Sequence, residues 1–240
     1  MSRIFGKYKS ILCISDQHFP FNHPDILAFL KKLSIEYNPD IVINLGDEID
    51  GNSLSFHEKD PDLLSPGDEL KTAIDRMRPF YELFPKMHLL DSNHGSLVYR
   101  RLKDAGIPMH VIKGYRETIA APKGWHWYDD LLVTASNGQD IYFHHGKSNN
   151  VLKESQIQSM NFVSGHWHST FKIEYWANKN ALYWGMSCGC LVDQSSMAYE
   201  YSKNFSKKFI IGTGIIINGI PRLLPMILDK NGRWVGKLNC

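Results

Sequence analysis

The chain has 240 residues, 43% hydrophobic and 12% aromatic, enough to bury a full core in one large domain or two small ones. Its net charge of +2 is too mild to argue by itself for nucleic-acid binding, and no run approaches the ~20 apolar residues of a membrane span. Four scattered cysteines, Cys13, Cys188, Cys190 and Cys240, lack the Cys-x-x-Cys pairing of a structural zinc and suit a reducing cytosol.

The first ten residues carry Arg3, Lys7 and Lys9 and lead only into a strand-length apolar segment, which is not the order of a signal peptide. Ser10 to Ser15 reads as the first buried strand, with Cys13 a small apolar member, and it runs straight into Asp16-Gln17-His18. Ile26, Leu27, Phe29, Leu30 and Leu33 recur at helical spacing after a Pro24-Asp25 start signal. Ile41 to Leu45 is the next apolar strand, and it ends in Gly46-Asp47-Glu48-Ile49-Asp50. Strand, helix, strand is the unit of a parallel sheet, whose ligands gather beyond the carboxyl ends of its strands. Residues 51–67 are polar and read as a surface loop in which His57 and Glu58 could line a substrate mouth. A helix is expected over 67–84, ended or kinked at Pro79.

Met87 to Leu90 predicts a third strand, delivering Asp91-Ser92-Asn93-His94-Gly95. A helix over 97–104 should close at Gly106 and Pro108. Residues 107–130 show no regular period, although Trp125-His126-Trp127-Tyr128 reads as a packed edge strand. The second half is strand-rich: 131–133, 141–143, 162–163, 171–176, 182–184 and 209–217, with one short helix at 151–160. Two of these strands end in His144-His145-Gly146 and Gly165-His166-Trp167-His168. No repeat or linker interrupts the chain, so a single domain over 1–240 is expected.

Asp16, His18, Asp47, Asp50, Asn93, His94, His145, His166 and His168 thus form one set of strand-end candidates. Imidazole, carboxylate and amide oxygen together suit borderline divalent metals, and they outnumber the ligands one ion needs. His144 competes with His145; the residue directly before Gly146 is preferred. His23, His57, His88, His110 and His126 read more simply as surface or core histidines. Cys188-Gly189-Cys190 reads as buried or idle thiols. Arg100, Arg101 and Lys103 read as a solvated helix face or, alternatively, as contacts to substrate phosphate.

The order Asp-x-His, Gly-Asp-x-x-Asp, Asn-His, His-Gly, Gly-His-x-His, running from Asp16 to His168, resembles that of the calcineurin-like metallophosphoesterases. The resemblance implies an α/β fold, a four-layer α/β/β/α sandwich of two mixed sheets. It implies two divalent ions, manganese first, with Fe, Zn, Ni or Co as alternatives. Asp16, His18 and His168 would hold one ion and Asn93, His145 and His166 the other, with Asp47 bridging. It further implies hydrolysis of a phosphoester by a metal-bridging hydroxide, with His94 as leaving-group acid and Asp50 the carboxylate that orients it. Phosphodiesters of nucleic acid or nucleotides are the expected substrates of a cytoplasmic enzyme. A nucleotide or pyrophosphate hydrolase, a protein phosphatase and a catalytically silent metal-binding interaction module are the alternatives. The phosphoprotein phosphatases carry Arg directly after Gly-Asp-x-x-Asp, where this chain has Gly51-Asn52. The family also has glycine before Asn-His and an acid after it; here these positions are Ser92 and Gly95.

Overall fold

A computed structural model describes residues 1–56, 62–196, 198 and 208–238; His57, Glu58 and Cys240 lie outside the described residues. In chain order the elements are β1 (Ser2–Tyr8), β2 (Ser10–Ile14), α1 (Ile26–Tyr37), β3 (Ile41–Asn44), α2 (Pro66–Leu83), β4 (Lys86–Leu90), α3 (Leu97–Asp104), α4 (Tyr115–Thr118), β5 (Gly124–Tyr128), β6 (Leu131–Ala135), β7 (Asp140–His144), α5 (Val151–Gln158), β8 (Asn161–Ser164), β9 (Phe171–Ala177), β10 (Leu182–Cys188), β11 (Gly212–Ile217) and β12 (Ile220–Pro225). Short 3-10 turns sit at Asn52–Leu54 and Met109–Val111.

The strands make two six-stranded mixed sheets, ordered β12-β11-β2-β3-β4-β5 and β1-β6-β7-β8-β10-β9. Within the first, β2, β3, β4 and β5 are parallel; within the second, β7, β8 and β10 are. The burial of alternate residues stacks four layers. Leu12 and Ile14 of β2 face outward onto Phe29, Leu30 and Leu33 of α1 and onto Met77 and Phe80 of α2. The intervening Ile11 and Cys13 face inward, against Leu131, Val133, Phe143, Val163 and Met186 of the second sheet. Beyond that sheet, Leu132, Tyr142 and Phe162 pack on Val151 of α5. β2 can be apolar from Ile11 to Ile14 without alternation because it is covered on both faces.

One expectation is corrected, and two strands were not foreseen. Pro79 lies inside α2, which continues to Leu83, because Met77 and Phe80 on either side are fully buried and hold the turn despite the missing N–H. β1 was not foreseen: its residues are mostly exposed, so no alternation marks it, and it is held by parallel pairing with β6. β12 was disguised by Pro221 and Pro225, which an edge strand tolerates. The Trp125–Tyr128 stretch does form the edge strand of the first sheet, and the fully buried Trp125 donates from Nε1 to the Phe84 carbonyl at 2.7 Å. Cys13, Cys188 and Cys190 are buried free thiols. No helix among the described residues is long and apolar enough to cross a membrane.

Candidate metal centre

The nine strand-end candidates meet at one edge of the two sheets. β2 runs into Asp16 and His18, β3 into Asp47 and Asp50, and β4 into Asn93 and His94. From the second sheet β7 runs into His145, and β8 into His166 and His168. Two donor groups result. Asp16, His18 and His168 form one, with His18 Nε2 and His168 Nε2 3.1 Å apart and Asp16 Oδ1 3.2 Å from His168 Nε2. Asp47, His145 and His166 form the other, joined by Asn93, whose Oδ1 is 2.8 Å from His145 Nε2. Asp47 stands between them: its Oδ2 is 3.1 Å from His145 Nε2 and 3.7 Å from His18 Nε2.

Of the two adjacent histidines at the end of β7, His145 is the one turned into this centre. Its Nδ1–H donates to the Leu45 carbonyl at 2.6 Å, which leaves Nε2 for Asp47 and Asn93. His144 instead accepts the Gly146 amide on Nδ1 at 3.2 Å.

Three observations favour a metal here. Asp16 and Asp47 are at most 1% exposed, and among the described residues the basic side chains turned to them are imidazoles. Lone-pair-bearing nitrogens and oxygens converge on common points, a costly arrangement for groups with no cation between them. The main chain is also strained in the same place. Of the eight described non-glycine residues with positive φ, four are candidate ligands: Asp16 (51°), His18 (52°), Asp47 (54°) and His166 (68°). Such strain persists only where the surroundings over-determine it.

Proton affinities reflect the same crowding. Burial alone would raise the Asp16 and Asp47 pKa values, but the neighbouring histidines outweigh it and hold both carboxylates low. Burial would lower His18, yet its bonds with Asp16 and Asp50 raise it to about 10. Burial likewise opposes His145, which the Asp47 charge raises to about 9. His166 is lowered by burial and by the neighbouring His145. Without a metal, imidazolium protons take the part of the cation.

Two glycines permit the close approach. Gly46 has φ +105°, and a Cβ there would lie 2.7 Å from Ser92 Cβ and 2.8 Å from His145 Nδ1. A Cβ at Gly146 would lie 2.7 Å from the His166 ring.

Residues 9–186, 178 of the 240, match the family described as calcineurin-like phosphoesterase. The chain belongs to that family. Proteins of this family bind divalent metals and act on phosphoesters. A comparison with curated proteins finds no match. Among solved structures, Vps29 of Chaetomium thermophilum is 14% identical, covering 95% of this chain and 93% of that one at a TM-score of 0.47. Yfce, a phosphoesterase from E. coli, is 12% identical, covering 94% and 96% at 0.45. The Pseudomonas putida nuclease MPE is 13% identical, covering 90% and 86% at 0.32. These likenesses, so low in identity and TM-score, carry no argument about activity.

The Asp50 Oδ2 lies 2.9 Å from His18 Nδ1, and a carboxylate oxygen of Asp50 lies within 4.8 Å of ring nitrogens of both His18 and His94. His94 Nδ1 meets the main-chain carbonyl of Asp50. That bond assigns the Nδ1 proton, so Nε2 is the nitrogen left for acid–base work. The ring stands edge-on to His18, with centroids 4.6 Å apart.

The two arginines drawn in as phosphate contacts are also taken up by the protein itself. Arg101 donates from Nε to the Leu54 carbonyl at 2.7 Å and from its terminal nitrogen to the Ser55 carbonyl, and it lies 3.7 Å from the centre of the Phe56 ring. Arg100 donates to the Asn93 carbonyl at 2.7 Å. Because α3 leaves the Asn93-His94 loop directly, its first turns reach back to brace that loop.

Sequence reasoning missed the layer behind the ligands. Asn44 donates from Nδ2 to Gln17 Oε1 at 2.8 Å and accepts the Gly46 amide, clasping the ends of β2 and β3 beneath the centre. Glu48 is 1% exposed, its carboxyl pushed up by burial, and it accepts from Trp127 Nε1 at 2.9 Å. Ser15 bonds Asp16 Oδ2, which also accepts the His166 amide at 2.9 Å. Ser15, Gln17 and Glu48 stand directly beside motif residues in the sequence, but nothing in their spacing gave them a partner.

Proposed function

We propose that the chain is a single-domain, dinuclear metal-dependent phosphoesterase of the cytosol, acting on phosphodiesters of nucleic acid or nucleotides. The observation that carries this reading is the placement of Asp47. One buried carboxylate stands between two donor groups that each supply imidazole and oxygen. Asp16, His18 and His168 would hold one ion, and Asn93, His145 and His166 the other. The oxygen- and imidazole-rich donor set, without thiolate, suits manganese. Bound there, divalent ions would supply Lewis acidity toward phosphoryl oxygens and activate water near neutral pH.

The chain's own residues do the rest. His94, held through Nδ1 by the Asp50 carbonyl, presents Nε2 as the proton donor to the departing oxygen. Asp50 fixes the His18 ring through Nδ1 and so aims Nε2 at Asp16 and Asp47. A silent metal-binding scaffold would have no use for a histidine fixed in this tautomer beside the donors. Free buried thiols at Cys13, Cys188 and Cys190 accord with a reducing compartment.

The test is metal analysis of the purified protein followed by a manganese-supplemented panel of diesters, monoesters, nucleotides and DNA. Turnover of a dinucleotide or of DNA above that of monoesters is expected. Two bound metals with no turnover on any of them would turn the reading into that of an interaction module.

A further inference from the structure

The position before Asn93 is occupied by serine, and its hydroxyl lies at a junction. Ser92 Oγ accepts two main-chain N–H groups, from Asp47 at 3.0 Å and from Gly95 at 3.1 Å. Asp47 Oδ1 in turn accepts the His94 amide at 3.1 Å. Three hydrogen bonds thus close a ring between the loop after β3 and the loop after β4. The Ser92 carbonyl, by accepting the Ser96 amide at 3.1 Å, ties the same residue into the turn that opens α3.

The ring bears on one torsion above all. Asp47 has φ 54°, in the left-handed region that few non-glycine residues occupy and that aspartate enters more readily than most. In that conformation its amide turns toward the neighbouring loop and needs an acceptor there, since a buried N–H without one is costly. Ser92 Oγ is that acceptor. Rotating the Asp47 main chain would swing its Oδ2 away from His145 Nε2 and His18 Nε2 together, because a single carboxylate faces both.

We propose that Ser92 is a positioning residue for the carboxylate of Asp47, its hydroxyl holding the main chain so that both donor groups share one oxygen. The inference rests on the dinuclear reading above. Ser92 touches neither substrate nor metal in this account; it acts through Asp47. The chain is thereby braced from residue 92, within the same loop that has glycine rather than an acid at residue 95. The two positions are coupled sterically as well: a Cβ at Gly95 would lie 3.1 Å from Ser92 Oγ.

The experiment needs no turnover. Manganese binding to the metal-free full chain is followed by calorimetry, with the thermal midpoint of each variant measured alongside. Ser92→Ala, which leaves the Asp47 and Gly95 N–H groups without that acceptor, should fold with a lowered midpoint and lose about tenfold or more in affinity at both sites, whereas His168→Ala should lose it chiefly at one. The exchange coupling between two bound manganese ions, read by electron paramagnetic resonance, should change in Ser92→Ala. Gly95→Ala should weaken binding when Ser92 is present and do so far less in Ser92→Gly, a non-additive cycle. Unchanged affinities in Ser92→Ala, or strict additivity of the cycle, would overturn the role of Ser92 while leaving the dinuclear reading intact. Wild-type protein that binds no divalent metal would overturn both. If Ser92→Ala does not fold, hydrogen exchange on the wild type decides. Slow exchange at the Asp47 and Gly95 amides is expected, and fast exchange at both would end the proposal.

Discussion

The two sheets contribute unequally to the centre. The first supplies every carboxylate, Asp16, Asp47 and Asp50, together with His18, Asn93 and His94; the second supplies only imidazoles, from His145, His166 and His168. The second sheet's donors are, moreover, oriented by the first. His145 is held by the Leu45 carbonyl, the His166 amide by Asp16 Oδ2, and His168 faces Asp16 Oδ1 at 3.2 Å. One sheet carries the carboxylates and the template, and the other closes over it with imidazoles. Loss on the first sheet should therefore spread, and loss on the second should stay local.

The largest expected effect tests that asymmetry directly. Asp47→Asn should release metal from both donor groups, because one carboxylate offsets charge on two dications; His168→Ala should chiefly weaken one. Elemental analysis after dialysis reads the difference. Two tightly held metals in Asp47→Asn would break the comparison.

Next comes His94, which separates proton donation from metal binding on the same loop. A sugar alkoxide leaves poorly, so losing the acid in His94→Ala should cost ~10²–10⁴-fold on a dinucleotide. A nitrophenolate leaves without a proton, so bis-nitrophenyl phosphate should suffer much less, with metal content preserved. Equal slowing of both substrates at full metal occupancy would move His94 from proton donor to a charge-stabilising or positioning role.

Asp50 sharpens the comparison within the first sheet. Its carboxylate bonds His18 Nδ1, so Asp50→Asn should weaken metal binding at the Asp16 group about 10–100-fold. The substrate pattern of His94→Ala should not be reproduced once metal is restored by excess. A variant with intact metal affinity and a selective defect on the dinucleotide would return Asp50 to the service of His94.

The smallest effect is on protons. Without a metal, the bonds with Asp16 and Asp50 push His18 up to about 10 and the Asp47 charge pushes His145 up to about 9, from the ordinary ~6.5. At pH 7.5 both are protonated, so metal uptake should release about two protons, measurable by calorimetry in buffers of different ionisation enthalpy. Affinity should rise with pH until those pKa values are passed. By the same linkage, the stability that these imidazolium ions lend the metal-free protein is full below pH ~6.5 and is lost as pH climbs through 9 to 10. A melting temperature that held constant across that interval would contradict the assignment.

The sequence by itself determined the parts whose physics is local. Apolar runs long enough to be buried marked β2, β3 and β4, and the polar clusters directly after them marked Asp16, His18, Asp47, Asn93 and His94 as strand-end groups. The order of five such clusters from Asp16 to His168 pointed to the family. Helical spacing placed α1, α3 and α5 within a few residues. What has no local signature escaped. β1 is exposed and charged, and only its pairing with β6, more than a hundred residues away, makes it a strand. Gly146 already favoured His145 over His144, but the Leu45 carbonyl across the sheet interface, which fixes that ring, is something no spacing reveals. The Asp50 carboxylate was read as the partner of His94, and its bond to His18 Nδ1 exists only once β2 and β4 flank β3. The hydroxyl of Ser92 read as a departure from a motif until β3 and β4 brought the Asp47 amide to it. Sequence specifies which groups stand at a strand end, because that is written in the pattern of burial along one segment. Which of them touch is decided by contacts between segments distant in the chain, and those exist only in the folded molecule.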